Sequence, residues 1–436
     1  MASEQERPGS RQQRREDARQ KRLHQQRLLR IRLALAAAVL LFTGAVIWIV
    51  AARGNNGGQP DQTDPPTSTQ GAVQDDSEAS QQTKQAEKTV IHIAAAGDLN
   101  VTDQVVSAGR TASGYDFGSV LQDVAPVLSN ADLAIVNFEG NLAGEPYGSQ
   151  NRSAPQELMQ GLADAGVDMV QLANSCAIRN GLLGLSATLD GVKAAGMESL
   201  GAWTSNADAK SSGGYTIREV GGLRIAIVAF TKGMDNLGLP EGSESCVNLL
   251  YTDYATTYSH VNTQGITRVL DAAARENPDF TLALLHWGSE YNEQISSTQE
   301  EIRDLMLAHG VDAIVGTHPH LVQKIDWDTE KNTLVAYSLG DFLGDAEEAG
   351  TNYSVILDLE ITRDNTTGVT TLTNYTYTPI YTLRPSESGG EAMQVLRIEQ
   401  TRAEYDAQFL ARISQTAYDN MTYALGRISA RISGES

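Results

Sequence analysis

At 436 residues, with 41% hydrophobic and 20% charged residues, the chain is long enough for a large buried core and too mixed for a low-complexity or fibrous protein. A formal net charge of −21 argues against a nucleic-acid partner, and two cysteines exclude a disulfide-built scaffold. The charge is unevenly placed: residues 1–32 hold ten basic against four acidic residues, a net of +6, so the rest of the chain carries −27.

From Leu33 to Ala52 the sequence reads LALAAAVLLFTGAVIWIVAA, 20 residues without a charge. As a helix at ~1.5 Å per residue this spans roughly 30 Å, the thickness of a bilayer core. The basic residues precede it, so the positive-inside rule predicts a cytoplasmic tail over 1–32, a single transmembrane helix over 33–52 and an extracellular remainder. Val50 and Ala52 also offer a small-residue cleavage site, but the apolar stretch exceeds the ~7–15 residues usual in a signal peptide. Membrane lipid is therefore an expected partner. Residues 53–88 contain no aromatic residue and one aliphatic side chain larger than alanine, Val73. They cannot bury enough surface to offset their ordering entropy and read as a flexible linker.

Beyond residue 88, apolar runs of strand length alternate with helical stretches. The runs begin at Val90, Ala131, Val167, Leu223, Phe280, Val311 and Thr333. They are continuously hydrophobic rather than alternating, as in strands covered on both faces. Between them, TQEEIRDLMLAHG carries a capping-box pattern from Thr298 to Glu301 and closes on Gly310, and APQELMQGLADAG has Pro155 where a first turn accepts it. This order predicts an α/β sandwich over about residues 89–385. From Glu391, apolar residues recur at helical spacing, predicting two amphipathic helices in a C-terminal segment, 386–436.

The carboxyl ends of strands gather at a common crevice in open α/β sheets. Here those ends carry Asp98, Asn137 with Glu139, Asn174, His286, and the pair His318 and His320 around Pro319. Singly, each has an ordinary explanation: Asp98 as a helix cap, His286 as a core histidine, Glu139 as a solvated loop acid. Together they form a mixed oxygen and nitrogen set suited to manganese, iron or zinc, and two such ions ~3.5–4 Å apart need about this many ligands.

The stretches AAAGDLN, IVNFEGNL, SAPQELMQGLADAGVDMVQLANS, LLHWGSEY, IVGTHPHLVQ and AYSLGDFLGD, in this order over about residues 90–385, resemble the motifs of the CapA family of capsule or poly-γ-glutamate synthesis proteins. That family is similar to calcineurin-like metallophosphoesterases, which implies a two-sheet α/β/β/α sandwich with a two-metal centre. By this resemblance Asp98, Glu139, Asn174, His286, His318 and His320 fall on ligand positions, with Asn137 and Asp341 behind them. The implied partners are capsule or polyglutamate synthase components and the polymer.

Two departures from the family pattern bear on activity. Where the family usually reads NNH followed by an aspartate and a glycine, this chain reads NSCAIRNG, with Cys176 in the histidine position and Arg179 in the aspartate position. A general acid at such a position contributes ~10²–10⁴-fold, and a thiol of pKa about 8.5 substitutes poorly for imidazolium. YSLGD also places Asp341 where the family usually shows asparagine. Two readings stay open: a metal-dependent hydrolase of phosphoester or γ-glutamyl bonds, and a membrane-anchored partner in polymer assembly with weakened or lost catalysis. The two cysteines, Cys176 and Cys246, lie on the predicted outer side, where disulfides persist. Both follow strands opening onto the same crevice, so they are either a disulfide closing a loop of about 70 residues or two unpaired thiols.

Overall fold

The computed structural model describes residues 87–345, 348–387, 393–407 and 413–435. The expected tail, transmembrane helix and all but the last two linker residues lie outside this range. Among the described residues no helix is long and apolar enough to cross a membrane.

In chain order the strands are β1 Lys88–Asn100, β2 Arg110–Thr111, β3 Gly114–Tyr115, β4 Leu133–Glu139, β5 Met169–Gln171, β6 Glu198–Leu200, β7 Tyr215–Val220, β8 Leu223–Thr231, β9 Phe280–His286, β10 Ala313–Thr317, β11 Ile325–Asp328, β12 Thr333–Ala336, β13 Asp341–Leu343, β14 Tyr353–Asp364, β15 Thr370–Leu383 and β16 Gln394–Arg397. One sheet runs β16-β15-β14-β1-β4-β5-β6, with β13 added beside β1, and the other runs β11-β12-β10-β9-β8-β7. The seven apolar runs are β1, β4, β5, β8, β9, β10 and β12. Within each sheet these pair in parallel. The antiparallel strands β7, β11, β14, β15 and β16 flank them.

Alternation along β8 shows how the layers stack. Ile225, Ile227 and Ala229 point into a core shared with the β1 sheet, while Ala226, Val228 and Phe230 point into a second core under the helices Thr263–Ala274 and Ser297–Ala308. β9 divides the same way, with Phe280, Leu282 and Leu284 on one side and Ala283 and Leu285 on the other. Two faces buried at period two explain why these strands read as unbroken hydrophobic runs. Each fully buried Leu, Ile or Phe contributes about 1.5–3 kcal/mol, so the double burial fixes register strongly.

Two local expectations are adjusted. The helix Ser297–Ala308 is capped by Ser296, whose side chain and that of Gln299 exchange the capping-box hydrogen bonds, rather than by Thr298 and Glu301. The cap pattern recurs two residues earlier in the sequence, and the backbone uses that copy. The C-terminal segment begins with a strand, β16, paired to β15. Its two helices, Ile398–Asp406 and Gln415–Ser433, follow.

Close backbone approach brings β13 alongside β1 at the site. A Cβ on Gly97 would collide with Gly340 O, the carbonyl that accepts the Asp98 N–H at 3.0 Å. Glycine at 97 therefore allows the register in which Asp98 lies opposite Asp341.

Candidate metal centre

Asp98 lies two residues before the end of β1, Glu139 closes β4, His286 closes β9, and His318 and His320 follow β10. Parallel strands in two stacked sheets thus deliver these side chains to one place. The turn that carries the two histidines is strained. His318 and His320 adopt φ of 92° and 58° on either side of Pro319, a left-handed conformation costly for residues with a Cβ. Tyr291, also left-handed at φ 57°, donates its N–H to Pro319 O at 2.9 Å and stacks on the His320 ring at 5.4 Å. These contacts hold the turn where both imidazoles face inward.

The carboxylates and imidazoles are oriented by neighbours. Asp98 Oδ1 accepts from Asn137 Nδ2 at 2.5 Å and Oδ2 from the His318 N–H at 2.8 Å. Asn174 donates Nδ2 to Asn137 Oδ1 at 3.0 Å and to Phe138 O at 2.7 Å, and its Oδ1 accepts the Cys176 N–H at 3.0 Å. His286 Nδ1 lies 3.1 Å from Thr317 Oγ1, which leaves Nε2 directed into the centre. His320 Nδ1 pairs with Asp341 Oδ1 at 2.7 Å, and Asn100 Nδ2 donates to the same oxygen at 3.0 Å.

Two sets of donors converge, Glu139 with His286 and His318, and Asp98 with His320 and Asp341, each with ligand atoms within 4.8 Å of one another. Exposed Glu290 forms a third set with His318 and His320. Asp341, expected behind the ligands, has its carboxylate beside Asp98 and His320, and Asn174, expected as a ligand, has its amide hydrogen-bonded to Asn137, Phe138 and the Cys176 N–H, with one lone pair of Oδ1 left over. Glu290 and Asn100 were missed. Asn100 was legible in GDLN, two residues beyond Asp98 and therefore on the same strand face.

The residues present fit a metal. Glu139 Oε1, His286 Nε2, His318 Nδ1 and Asp341 Oδ2 are all buried without a hydrogen-bond partner. Glu139 Oε1 and His286 Nε2 are 2.9 Å apart, yet make no hydrogen bond to each other. Buried polar atoms are normally satisfied, so four orphans spread over these two donor sets mark places for cations. The charges agree. Burial, with Glu139 adding repulsion, pushes Asp98 up to about 7, burial likewise pushes Glu139 up to about 7, and burial raises Asp341. Burial lowers His286 to about 4 and holds His318 well below its usual value. Burial works against the charge on His320 too, but the Asp341, Glu139 and Asp98 carboxylates hold it well above its usual value. The centre thus pairs two neutral imidazoles and one favoured cation with costly buried carboxylates, a charge balance that a divalent ion can take over.

Residues 92–346 match the family model described as bacterial capsule synthesis protein PGA_cap. This chain belongs to that family. The PGA_cap chain is 28% identical over 262 residues to the capsule biosynthesis protein CapA of Bacillus anthracis, covering 58% of this chain and 60% of that protein. It is 25% identical over 256 residues to the PGA biosynthesis protein CapA of Bacillus subtilis (strain 168), covering 57% and 62%. It thus spans less than two thirds of the length of either relative. Among solved structures it is similar to the calcineurin-like phosphoesterase YfkN of Bacillus subtilis, with 15% identity, TM-score 0.40, and coverage of 67% of this chain and 90% of that one. The likeness is distant and silent on chemistry.

The PGA_cap chain's cysteines are both buried, free thiols, so the disulfide considered from sequence is not formed. Cys176 is held in the turn after β5 by its N–H to Asn174 Oδ1. Cys246 is held beyond the end of β6, where its carbonyl accepts the Trp203 N–H at 2.8 Å. Burial, with Glu139 adding repulsion, pushes the Cys176 thiol up to about 12. Arg179 pairs with Asp235 at 3.3 Å at the surface.

Proposed function

We propose that this chain is a membrane-anchored, extracytoplasmic protein of capsule or poly-γ-glutamate biosynthesis or export. In this reading it has a two-ion divalent-metal centre of manganese, iron or zinc and weakened hydrolytic chemistry. Its partners are membrane lipid, polymer-synthase components and the polymer; nucleic acid is not among them. Family membership supports the biological role, and the uncharged stretch 33–52 supports the anchor. The observation that carries the metal reading is the group of four orphaned atoms on Glu139, His286, His318 and Asp341.

Glu139, His286 and His318 would hold one ion, and Asp98, His320 and Asp341 the other. A bound divalent ion supplies Lewis acidity toward a substrate oxygen. Around it this chain's own residues orient and exclude. Asn137 and the His318 N–H fix the Asp98 carboxylate, Thr317 fixes the His286 ring, and Tyr291 covers His320. Cys176 keeps its proton at neutral pH and offers no cationic acid to a leaving oxygen, which supports weakened turnover. The fully assembled donor set favours a second reading, an active metal-dependent hydrolase of phosphoester or γ-glutamyl bonds.

The role is tested in cells. A strain lacking this chain is expected to lose surface capsule polymer, with the full-length chain restoring it and the His318→Ala/His320→Ala form failing to. Unchanged polymer in the deletion strain contradicts the role.

A further inference from the structure

Lys232 and Arg152 are the two cations beside the centre that the reading above leaves unused. Lys232 follows the last residue of β8 and donates its backbone N–H to His286 O at 2.8 Å. Its half-buried ammonium donates to Gly288 O at 2.7 Å and lies 4.8 Å from the Tyr258 ring centroid. Arg152 sits in the loop after β4 with φ 51°, its Nη1 donating to Val101 O at 3.3 Å. Val101 in turn donates its N–H to Glu139 O at 3.1 Å, so the guanidinium is anchored one peptide from a ligand strand.

Among the described residues neither cation has a carboxylate within ion-pair distance, although the chain carries 54 acidic residues. Each uses one donor on a neutral carbonyl and keeps the others. Both are close enough to act electrostatically on the centre: Arg152 on Glu139, Cys176 and Tyr291, and Lys232 on His286 and His318. Two acids share this rim, Glu290 and Asp235, and Asp235 is already paired with Arg179. Burial lowers Lys232, and Glu290 and Asp235 offset this only from beyond ion-pair distance, so a negatively charged ligand returns part of the desolvation cost of its half-buried ammonium. Such a ligand also faces a chain at −21, so local cations at the mouth are needed to draw it in.

We propose that Lys232 and Arg152 form an oxyanion clamp that holds a phosphate or carboxylate group of the substrate against the centre. The clamp rests on the metal reading and assigns that site an anionic substrate. Arg152 brings a planar fork of donors suited to either group, and Lys232 brings a point charge.

The test uses full-length protein loaded with Mn(II), titrated calorimetrically with inorganic phosphate and separately with glutarate. The parent is expected to bind at least one, and Lys232→Met and Arg152→Met each to weaken it by about 10–100-fold, the scale of one charge-assisted hydrogen bond. Both variants are expected to keep the parent's manganese content, and Lys232→Arg to recover part of the affinity. Preference for phosphate assigns the clamp to phosphoesters, and preference for glutarate assigns it to carboxylate chains. Parent affinity in both variants, or no binding of either anion to loaded parent, overturns the clamp. A parent that takes up no manganese overturns the metal reading, and the clamp with it.

Discussion

The backbone N–H of His318 donates to Asp98 Oδ2 at 2.8 Å, joining a residue near the end of a strand of one sheet to one that follows a strand of the other. The centre is therefore assembled by the stacking of two sheets. It stores cost: Asp98, Glu139 and Asp341 are all buried, and burial raises the pKa of each. Binding to the folded state alone stabilises by about 2.7 kcal/mol at 100-fold excess over Kd. Adding Mn(II) to chelator-treated protein is expected to raise Tm measurably, and Asp98→Asn to cut that rise by at least half. Equal rises in parent and variant would contradict the assignment of Asp98.

Cys176→His, alone or with Arg179→Asp, is expected to raise turnover of a generic phosphodiester by ~10²–10⁴-fold, the usual span for a positioned general acid. The buried thiol of the parent, pushed up to about 12, supplies no such acid. A fast parent whose rate is indifferent to Cys176→Ala would refute weakened catalysis.

Much of this site was legible because strand ends announce themselves. Seven unbroken apolar runs each stop at a polar signature, and parallel pairing makes their ends coincide. What was not legible came from other physics. β15 alternates with Thr and Tyr prominent, as a half-exposed antiparallel strand does, and β14, although mostly buried, is broken by Asp358 and Glu360 after a run of only three apolar residues. Glu290 and Arg152 lie in loops, where position depends on tertiary contacts rather than periodicity. Asp341 was named from the family resemblance, but its place beside Asp98 depends on the Gly97–Gly340 approach, a backbone packing detail without a side-chain pattern. The cysteines shared a crevice in the sequence reading, but Cys176 is held in the turn after β5 and Cys246 against Trp203 beyond the end of β6.

Arg431, buried in the C-terminal helix, hydrogen-bonds Glu293 and stacks on Tyr353, while Arg427 reaches the same carboxylate at 3.1 Å from a more exposed position. Glu293 belongs to the loop that also carries Glu290 and Tyr291. Arg431→Met is expected to destabilise by about 1.5–3 kcal/mol, because it removes a charge-assisted hydrogen bond and the stacking of a buried guanidinium on Tyr353 while Arg427 still pairs with Glu293, and Arg427→Met by under about 1 kcal/mol. Denaturant midpoints measure both. Equal small effects would show that the helix does not secure this loop.

Asp312 accepts the Thr281 N–H at 2.8 Å, and burial pushes its carboxyl up to about 6. The folded state therefore binds more protons than the unfolded one between about pH 4 and 6. Stability falls as pH rises through that window, and the loss persists above it. Asp312→Asn keeps an acceptor for Thr281 and removes the charge. Relative to parent it is expected to gain roughly 2–3 kcal/mol at pH 7.5 and little at pH 4. The same difference at both pH values would contradict a burial cost on the carboxylate.

The most direct measurement is metal content by mass spectrometry of full-length protein after repletion and desalting, beside its His318→Ala/His320→Ala form. The account predicts about two ions per chain in the parent and less than one in the variant, since each proposed site loses one imidazole. A parent without bound metal, or a double variant holding as much as the parent, would contradict the metal centre.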